Sequence, residues 1–263
     1  MDERKLREQS FHDSRFGASE ARDSDKFYSI TLASQTDYLR CLTRRAANKR
    51  ILEYGCGRGS AAFDLAQGGA SVVGIDISPT AIALAEKEAA RRGFAIDFRT
   101  MDAEALEFPD ASFDIVCGSG ILHHLDLKRA FAEIVRVLRP GGSAFFTEPL
   151  GHNPVVNAYR NRTPEQRTPD EHPLLESDFA LAREYFPAVD VRYYHLTTLA
   201  AIPLATKPFV GRLALALDAV DRLLFALLPA AKRFAWLSVI ELSAPASSAN
   251  TDPAKPQSAG VAP

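Results

Sequence analysis

Three acidic residues lie in, near the end of, or just after three different apolar runs in the first half of the chain. Glu53 lies in the run 51–54, Asp76 lies near the end of the run 71–77, and Asp102 follows a third run. The loop after Glu53 contains the glycines Gly55, Gly57 and Gly59. Carboxylates accept hydrogen bonds from hydroxyl and amino groups, and glycines let the backbone approach a ligand closely. This pattern predicts a nucleotide cradle between two strands and a helix.

The spacing of the glycines distinguishes between kinds of nucleotide. A dinucleotide site favours G-x-G-x-x-G, but Ser60 stands where its third glycine would be. The observed spacing, with Glu53 at its entrance, favours a smaller adenosyl ligand that carries an ammonium group. Asp76 can accept both ribose hydroxyls, and Asp102 can accept an adenine amino group.

The elements that must position these residues alternate along the chain. Apolar runs predict strands at 51–54, 71–76, 95–99, 113–117 and 143–147. Helical periodicity predicts helices at 60–67, 79–92 and 127–138, the last ended by Arg139-Pro140-Gly141-Gly142. This alternation predicts an α/β fold with a parallel sheet covered on both faces.

Five motifs in order resemble those of class I S-adenosylmethionine-dependent methyltransferases. They are E-x-G-x-G-x-G, GIDIS, MDAEALEFPDASFDIV, GILHHL and IVRVLRPGG, and they cover roughly residues 50–148. The resemblance implies a Rossmann-like, seven-stranded, mostly parallel sheet with helices on both faces and an antiparallel last strand. The last two strands are then expected at 189–195 and 236–242.

The resemblance also implies a cofactor and the residues that hold it. S-adenosylmethionine is expected to bind through Glu53 and the glycine loop at its methionine part, Asp76 at its ribose, and Asp102 with Ala103 at its adenine. Ile77 and Ser119, which adjoin these motifs, complete the predicted cofactor residues. Two other functions stay open: an adenosyl-binding module without catalysis, and an NAD(P)-dependent oxidoreductase.

Candidate residues for the methyl acceptor lie beyond the cofactor motifs. His123 and His152 are candidate general bases, although His123 and His124 can equally be structural in this family. The candidate substrate residues are Tyr28, Glu148, Tyr159, Arg160 and His172. We expect a small, lipophilic acceptor, favour O-methylation because histidine bases are present, and predict no metal site.

The chain is expected to divide into four parts. Residues 1–48 form an N-terminal segment with a lid helix at 24–48, and residues 1–23 are polar with no predicted helix. Residues 49–148 form the cofactor-binding core. Residues 149–243 hold a proline-rich lid at 149–175, a helical insertion and the last two strands of the same domain. Residues 244–263, rich in Ser, Ala and Pro, are predicted to be disordered.

The helical stretch 209–228 has a predicted apolar face and a predicted polar face. The apolar face holds Leu213, Leu217, Val220, Leu223, Leu224, Leu227 and Leu228; the opposite face holds Arg212, Asp218, Asp221 and Arg222. Three roles fit such a stripe: the helix can pack on the sheet, form a wall of the substrate pocket, or lie on a membrane surface. Weak peripheral membrane contact ranks last because the polar face is mixed in sign.

Bulk properties exclude some classes of protein. A net charge of −2 makes a nucleic-acid partner a poor expectation, and three separated cysteines favour a reducing compartment. The charged N-terminus does not resemble a secretory signal, and no apolar run is long enough for a transmembrane helix. A cytoplasmic protein is therefore expected, and the sequence does not indicate its oligomeric state.

Overall fold

A seven-stranded sheet organises the chain. The computed structural model describes residues 2–17 and 30–244. The strands are β1 Arg50–Tyr54, β2 Ser71–Asp76, β3 Asp97–Thr100, β4 Phe113–Ser119, β5 Leu138–Pro149, β6 Ala188–Tyr194 and β7 Leu237–Ser243. Their order is β3-β2-β1-β4-β5-β7-β6, with β7 antiparallel to both of its neighbours. The fold class implied by the motifs is confirmed, and β6 and β7 extend the same sheet as β1–β5.

Eight α-helices surround this sheet in the described residues. They are α1 Glu3–Gly17, α2 Leu32–Ala46, α3 Ala62–Gln67, α4 Pro79–Arg92, α5 Leu127–Val137, α6 Pro154–Arg162, α7 Glu176–Tyr185 and α8 Val210–Leu227. Four short 3₁₀ segments lie at Leu122–His124, Pro164–Gln166, Thr197–Leu204 and Pro229–Phe234. Across the described ranges, no helix combines the length and the apolarity needed to cross a bilayer.

Local capping explains where the core helices begin and end. Ser78 caps α4 because its hydroxyl accepts a hydrogen bond from Ala81 N, and Pro79 occupies the first helical turn. Gly93 ends α4 in the left-handed conformation, at φ 73°. Asp126 caps α5 in the same way as Ser78 caps α4, accepting from two backbone N–H groups. These caps fix the helices whose first turns lie at the carboxyl ends of the strands.

Apolar side chains are buried on both faces of the sheet. One cluster contains Tyr54, Phe113 and Phe146, and the other contains Ile51, Phe145 and Val239. Because Phe145 and Phe146 are consecutive in β5, their side chains point to opposite faces. Helices therefore cover both faces, as the sequence predicts.

Helix α1 contradicts the expectation for residues 1–23. The sequence suggested a polar segment without a helix, yet Glu3–Gly17 is helical and buries the charged residues Lys5 and Glu8. The predicted lid helix at 24–48 begins only at Leu32 within the described residues. The lid at 149–175 contains α6, which is capped by Asn153. The predicted disordered tail lies outside the described residues from residue 245 on.

Helix α8 is rotated about its axis from the expected orientation. Leu213, Leu217 and Leu224 of the predicted apolar face still pack against the core, but the rest of that face is exposed. Its buried residues are Ala214, Asp218, Asp221 and Phe225, whereas Leu223 is 61% and Leu227 75% exposed. Asp221 is buried because its carboxylate accepts hydrogen bonds from the backbone N–H groups of Leu196 and Thr197, at 3.0 and 2.7 Å. The two acids are thus internal caps for a neighbouring segment, and the prediction that they face solvent was wrong.

Candidate functional site

The loop between β1 and α3 is shaped by its glycines. Gly55, Gly57 and Gly59 all have positive φ, at 58°, 53° and 90°. This region of φ disfavours other residues, which explains the spacing of the three glycines. The Gly57 backbone N–H donates to Asp76 Oδ2 at 2.9 Å, which links the loop to the end of β2.

Glu53 lies beneath this loop. Its fully buried carboxylate accepts hydrogen bonds from Ser60 Oγ at 2.6 Å, Ala61 N at 2.7 Å and Ala62 N at 3.0 Å. Burial raises the pKa of Glu53 to about 7, although these three donors oppose the rise. The carboxylate therefore stabilises the loop from beneath through these hydrogen bonds, and it does not line a cavity formed by the described residues.

A cavity of about 150 Å³ opens at the carboxyl ends of β1, β2 and β4. Six of the nine predicted cofactor residues line it: Gly55, Asp76, Ile77, Asp102, Ala103 and Ser119. Gly57, Gly59 and Glu53 support the loop behind it. Asp76 Oδ1 also accepts from Ser78 N at 2.9 Å, and burial raises the pKa of Asp76. We refer to this space as the cofactor cavity.

Helix α1 closes the cofactor cavity from outside. Lys5 Nζ lies 2.6 Å from Asp102 Oδ2 and 3.0 Å from Glu104 Oε2, and Gln9 Nε2 donates to the Ile77 carbonyl at 3.0 Å. The cavity-lining residues of α1 are Arg4, Lys5, Glu8, His12, Arg15 and Phe16. Sequence reasoning missed this helix. The signal was there, because Lys5, Glu8, His12 and Arg15 recur at helical spacing.

Two histidines and an acid connect α1 to the core. Glu8 Oε2 lies 3.5 Å from His12 Nε2 and 3.1 Å from His124 Nδ1, and the Thr168 hydroxyl donates to Glu8 Oε1. Burial would raise the pKa of Glu8, but the two histidines and Thr168 lower it well below its usual range. The side-chain ligand atoms of Glu8, His12 and His124 lie within 4.8 Å of one another. The cluster fastens α1 to the turn after β4.

A second, larger cavity of about 380 Å³ adjoins the first. The two cavities share Arg15, Ser119, Gly120 and His124. Much of its wall is apolar, with Val155, Val156, Leu199, Ile202, Trp236 and Leu237. Its volume is within the range of small-molecule pockets, roughly 300–1,000 Å³. We refer to this space as the acceptor cavity.

His123 lies in the wall of the acceptor cavity and is oriented by Glu148. His123 Nδ1 is 2.7 Å from Glu148 Oε2. The other oxygen of this fully buried carboxylate accepts from Ile121 N and Leu122 N, at 2.8 Å each. Since a carboxylate only accepts hydrogen bonds, the ring proton is assigned to Nδ1 and the lone pair to Nε2. Glu148, a predicted substrate residue, orients the imidazole of His123 through this contact.

The other predicted acceptor residues are divided between the cavity and the surface. Tyr159 and Arg160 line the acceptor cavity, where Arg160 pairs with Glu171 at 2.9 Å. His152 is on the lid surface and accepts a hydrogen bond from Glu176 N at 3.4 Å. His172 pairs with Asp178 at 3.0 Å and is half exposed. Among the described residues, the walls of the two cavities do not include His152 or His172. Tyr28 lies outside the described residues.

The middle of the chain is similar to known methyltransferases. The model of the methyltransferase domain family matches residues 52–146. The demethylmenaquinone methyltransferase of Thermus thermophilus is 41% identical over 104 residues, which is 38% of this chain and 47% of that protein. A ubiquinone biosynthesis O-methyltransferase of Pseudomonas fluorescens is 35% identical over 111 residues, which is 41% of this chain and 47% of that protein. A crystal structure of an S-adenosylmethionine-dependent methyltransferase from Methanosarcina mazei matches 76% of this chain and 94% of that chain, with 25% identity and TM-score 0.54.

Residues 52–146 are thus similar to the methyltransferase domain family, and the sheet has the fold of S-adenosylmethionine-dependent methyltransferases. The matched region of the chain spans about half the length of the curated relatives, 47% in the first case. The cofactor of that family is S-adenosylmethionine, and the hydrogen-bonding groups around the cofactor cavity fit it. Asp76 and Asp102 offer acceptors to hydroxyl and amino groups, and the Gly55 loop offers close backbone approach. The Lys5 ammonium lies 2.6 Å from Asp102 Oδ2, so it competes with an incoming amino group for that carboxylate.

Proposed function

We propose that this methyltransferase transfers a methyl group from S-adenosylmethionine to a hydroxyl group of a small, lipophilic molecule. The observation that carries this proposal is the His123–Glu148 pair in the wall of the acceptor cavity, 2.7 Å apart. That cavity meets the cofactor cavity at Ser119 and Gly120. An acceptor in one cavity and a cofactor in the other would therefore adjoin each other.

The protein's own residues supply positioning and a base. S-adenosylmethionine, when bound, supplies an electrophilic methyl group on a sulfonium. Glu148 accepts a hydrogen bond from Nδ1–H of His123, which leaves the Nε2 lone pair to accept the proton of an acceptor hydroxyl. The charge that develops on the imidazole then lies beside the buried carboxylate, which stabilises it. The apolar walls exclude water from the reacting atoms.

The cofactor residues are proposed by their place around the first cavity. Asp76 would accept the ribose hydroxyls, Asp102 and the Ala103 backbone would bind the adenine, and the Gly55 loop would face the methionine part. Glu53 stays a prediction for the methionine part. Its bonds to Ser60 and the following backbone support a role in ordering the loop.

The nature of the acceptor is proposed from the second cavity. Leu199, Ile202 and Trp236 supply apolar walls, while Tyr159 and Arg160 supply polar groups on the lid side. This combination suits an aromatic or isoprenoid body with one polar edge. The names of the relatives, which refer to quinone biosynthesis, support the same class of molecule.

Two measurements test the proposal. Calorimetry with S-adenosylhomocysteine, NAD and NADP should give heat for the first ligand alone, with a dissociation constant of about 1 μM or tighter. Turnover should then be measured on matched pairs of lipophilic acceptors that differ only in a hydroxyl or an amine. Methylation of the hydroxyl members supports the proposal. Binding of NAD or NADP, methylation of the amines alone, or S-adenosylhomocysteine binding without turnover on any pair would contradict it.

A further inference from the structure

Exposed apolar side chains concentrate on α8 and the turn after it. Seven of the ten large apolar side chains that are exposed in the described residues lie between Phe209 and Phe234. On α8 itself they include Leu215, Val220, Leu223 and Leu227. At a rise of 1.5 Å per residue, the stripe from Leu215 to Leu227 runs for about 18 Å along this helix. A stripe of this length on a protein surface indicates an interaction site.

The charges around this stripe are of one sign. Between residues 205 and 236 there are five cations and two acids, and both acids, Asp218 and Asp221, are buried. Lys207, Arg212, Arg222 and Arg233 are exposed. Among the described residues none of these four cations is in an ion pair with an acid. The face expected from the sequence to be mixed in sign is therefore basic where it meets solvent.

We propose that this apolar–basic surface, the exposed side of residues 207–234, docks on an anionic lipid bilayer. An amphipathic helix lies in the bilayer interface when its apolar side chains enter the acyl boundary and its cations meet anionic headgroups. Leu223 and Leu227 would enter the boundary, and Arg212 and Arg222 would bind headgroup phosphates. The rotated orientation of α8, which exposes Leu223 and Leu227, makes this arrangement available.

A second copy of the chain fits the surface less well. A two-fold symmetric contact places the same patch of each copy against the other. Arg212, Arg222 and Arg233 of both copies would then approach one another with no exposed acid in the segment to neutralise them. An anionic bilayer supplies the opposite charge along with an apolar interior.

The surface also lies close to the acceptor cavity. The 3₁₀ segment Thr197–Leu204 contributes Leu199 and Ile202 to that cavity and packs with Leu213 and Leu217 of α8. One helix diameter, about 10 Å, therefore separates the surface from the cavity. If the proposed lipophilic acceptor is correct, docking would place the cavity beside the phase in which such a molecule dissolves.

The test is vesicle flotation of the full chain, which does not depend on the proposed reaction. Vesicles of phosphatidylcholine with phosphatidylglycerol should carry the protein upward, and binding should fall with salt and without the anionic lipid. The double variant Leu223→Gln/Leu227→Gln should abolish binding. Arg212→Gln/Arg222→Gln should weaken it about fivefold per arginine.

The control is Leu6→Gln/Leu32→Gln, which removes two similarly exposed leucines elsewhere on the protein. It should bind vesicles as the wild type does, and all variants should retain the wild-type melting temperature. Failure of the wild type to float on anionic vesicles would overturn the inference, as would an equal loss in the control. A dimer in light scattering that dissociates in the Leu223/Leu227 variant would instead assign the surface to a second copy.

Discussion

Replacement of Glu148 by glutamine tests the proposed base while keeping the shape of the side chain. In the wild type one carboxylate oxygen accepts from Ile121 N and Leu122 N at 2.8 Å, and the other lies 2.7 Å from His123 Nδ1. A glutamine would keep its amide oxygen on the two backbone donors. Its amide group would then donate to Nδ1, so the imidazole proton would move to Nε2.

The expected loss follows from that change of tautomer. A His123 ring that carries its proton on Nε2 cannot accept the proton of an acceptor hydroxyl. General-base catalysis contributes roughly 10²–10⁴ in rate, so kcat should fall by about 10²–10³. This loss corresponds to about 3–4 kcal/mol in the activation barrier. Cofactor affinity should not change, because Glu148 lies behind His123 and does not line the cofactor cavity.

Two assays follow the effect. The rate of S-adenosylhomocysteine formation measures turnover, and ¹⁵N chemical shifts of the His123 ring report its tautomer without any acceptor. The matched control is Asp178→Asn, because Asp178 also joins a histidine, His172, to a backbone N–H, but on the surface of the lid. That variant should turn over at the wild-type rate.

Either of two results would refute the reasoning. One is turnover by Glu148→Gln within about twofold of the wild type. The other is a wild-type His123 ring protonated on Nε2 alone. The double variant His123→Ala/Glu148→Gln should lose no more activity than His123→Ala, since the two residues act as one unit.

Three further predictions concern the cofactor loop and α1. Because burial raises the pKa of Glu53 from 4.5 to about 7, its carboxyl favours the folded state in acid and loses that contribution as the pH rises. When the pH is raised from about 4 to about 8, the free energy of unfolding of the wild type, measured with urea, should fall by about 3 kcal/mol relative to that of Glu53→Gln. Lys5→Gln should tighten S-adenosylhomocysteine binding about fivefold by calorimetry, because it frees Asp102. Gly59→Ala should lower the free energy of unfolding by about 2–3 kcal/mol, since φ is 90° and the new Cβ would lie 2.6 Å from Phe63.

Each of these three variants has a matched control. Exposed Glu107→Gln should leave the pH dependence of stability unchanged. Arg7→Gln removes an α1 cation that pairs with Asp170 on the lid, and should leave Asp102 paired. Gly69 has φ 85°, and a Cβ added there would meet open space. Gly69→Ala should therefore lower the free energy of unfolding by only about 1 kcal/mol. Equal costs at Gly59 and Gly69 would contradict the clash with Phe63.

Most of the sheet was predictable from the sequence because its signals are local. Apolar runs, turns and caps such as Ser78 and Asp126 act within a few residues of the helix or strand they define. The glycine loop was predictable for the same reason, since positive φ restricts residue type. The pairing of His123 with Glu148 was not, because it depends on the side-by-side placement of β4 and β5.

The two wrong expectations share one physical cause, the burial of charge. Lys5 is buried because Asp102 and Glu104 neutralise it, and Asp218 and Asp221 are buried beside His195 and Thr198. Hydrophobic periodicity assigns such residues to solvent. Their partners lie far away in sequence, so only the fold reveals them.

The contacts of α1 have a kinetic consequence. This helix covers the cofactor cavity, and it also holds the lid through Arg7 with Asp170 and Glu8 with Thr168. Undocking of α1 would therefore release both the adenosyl product and the lid in one event. If the proposed methyl transfer is correct, turnover is expected to be limited by product departure rather than by the transfer itself. A pre-steady-state burst of methylated product, roughly one per enzyme molecule, would be its signature.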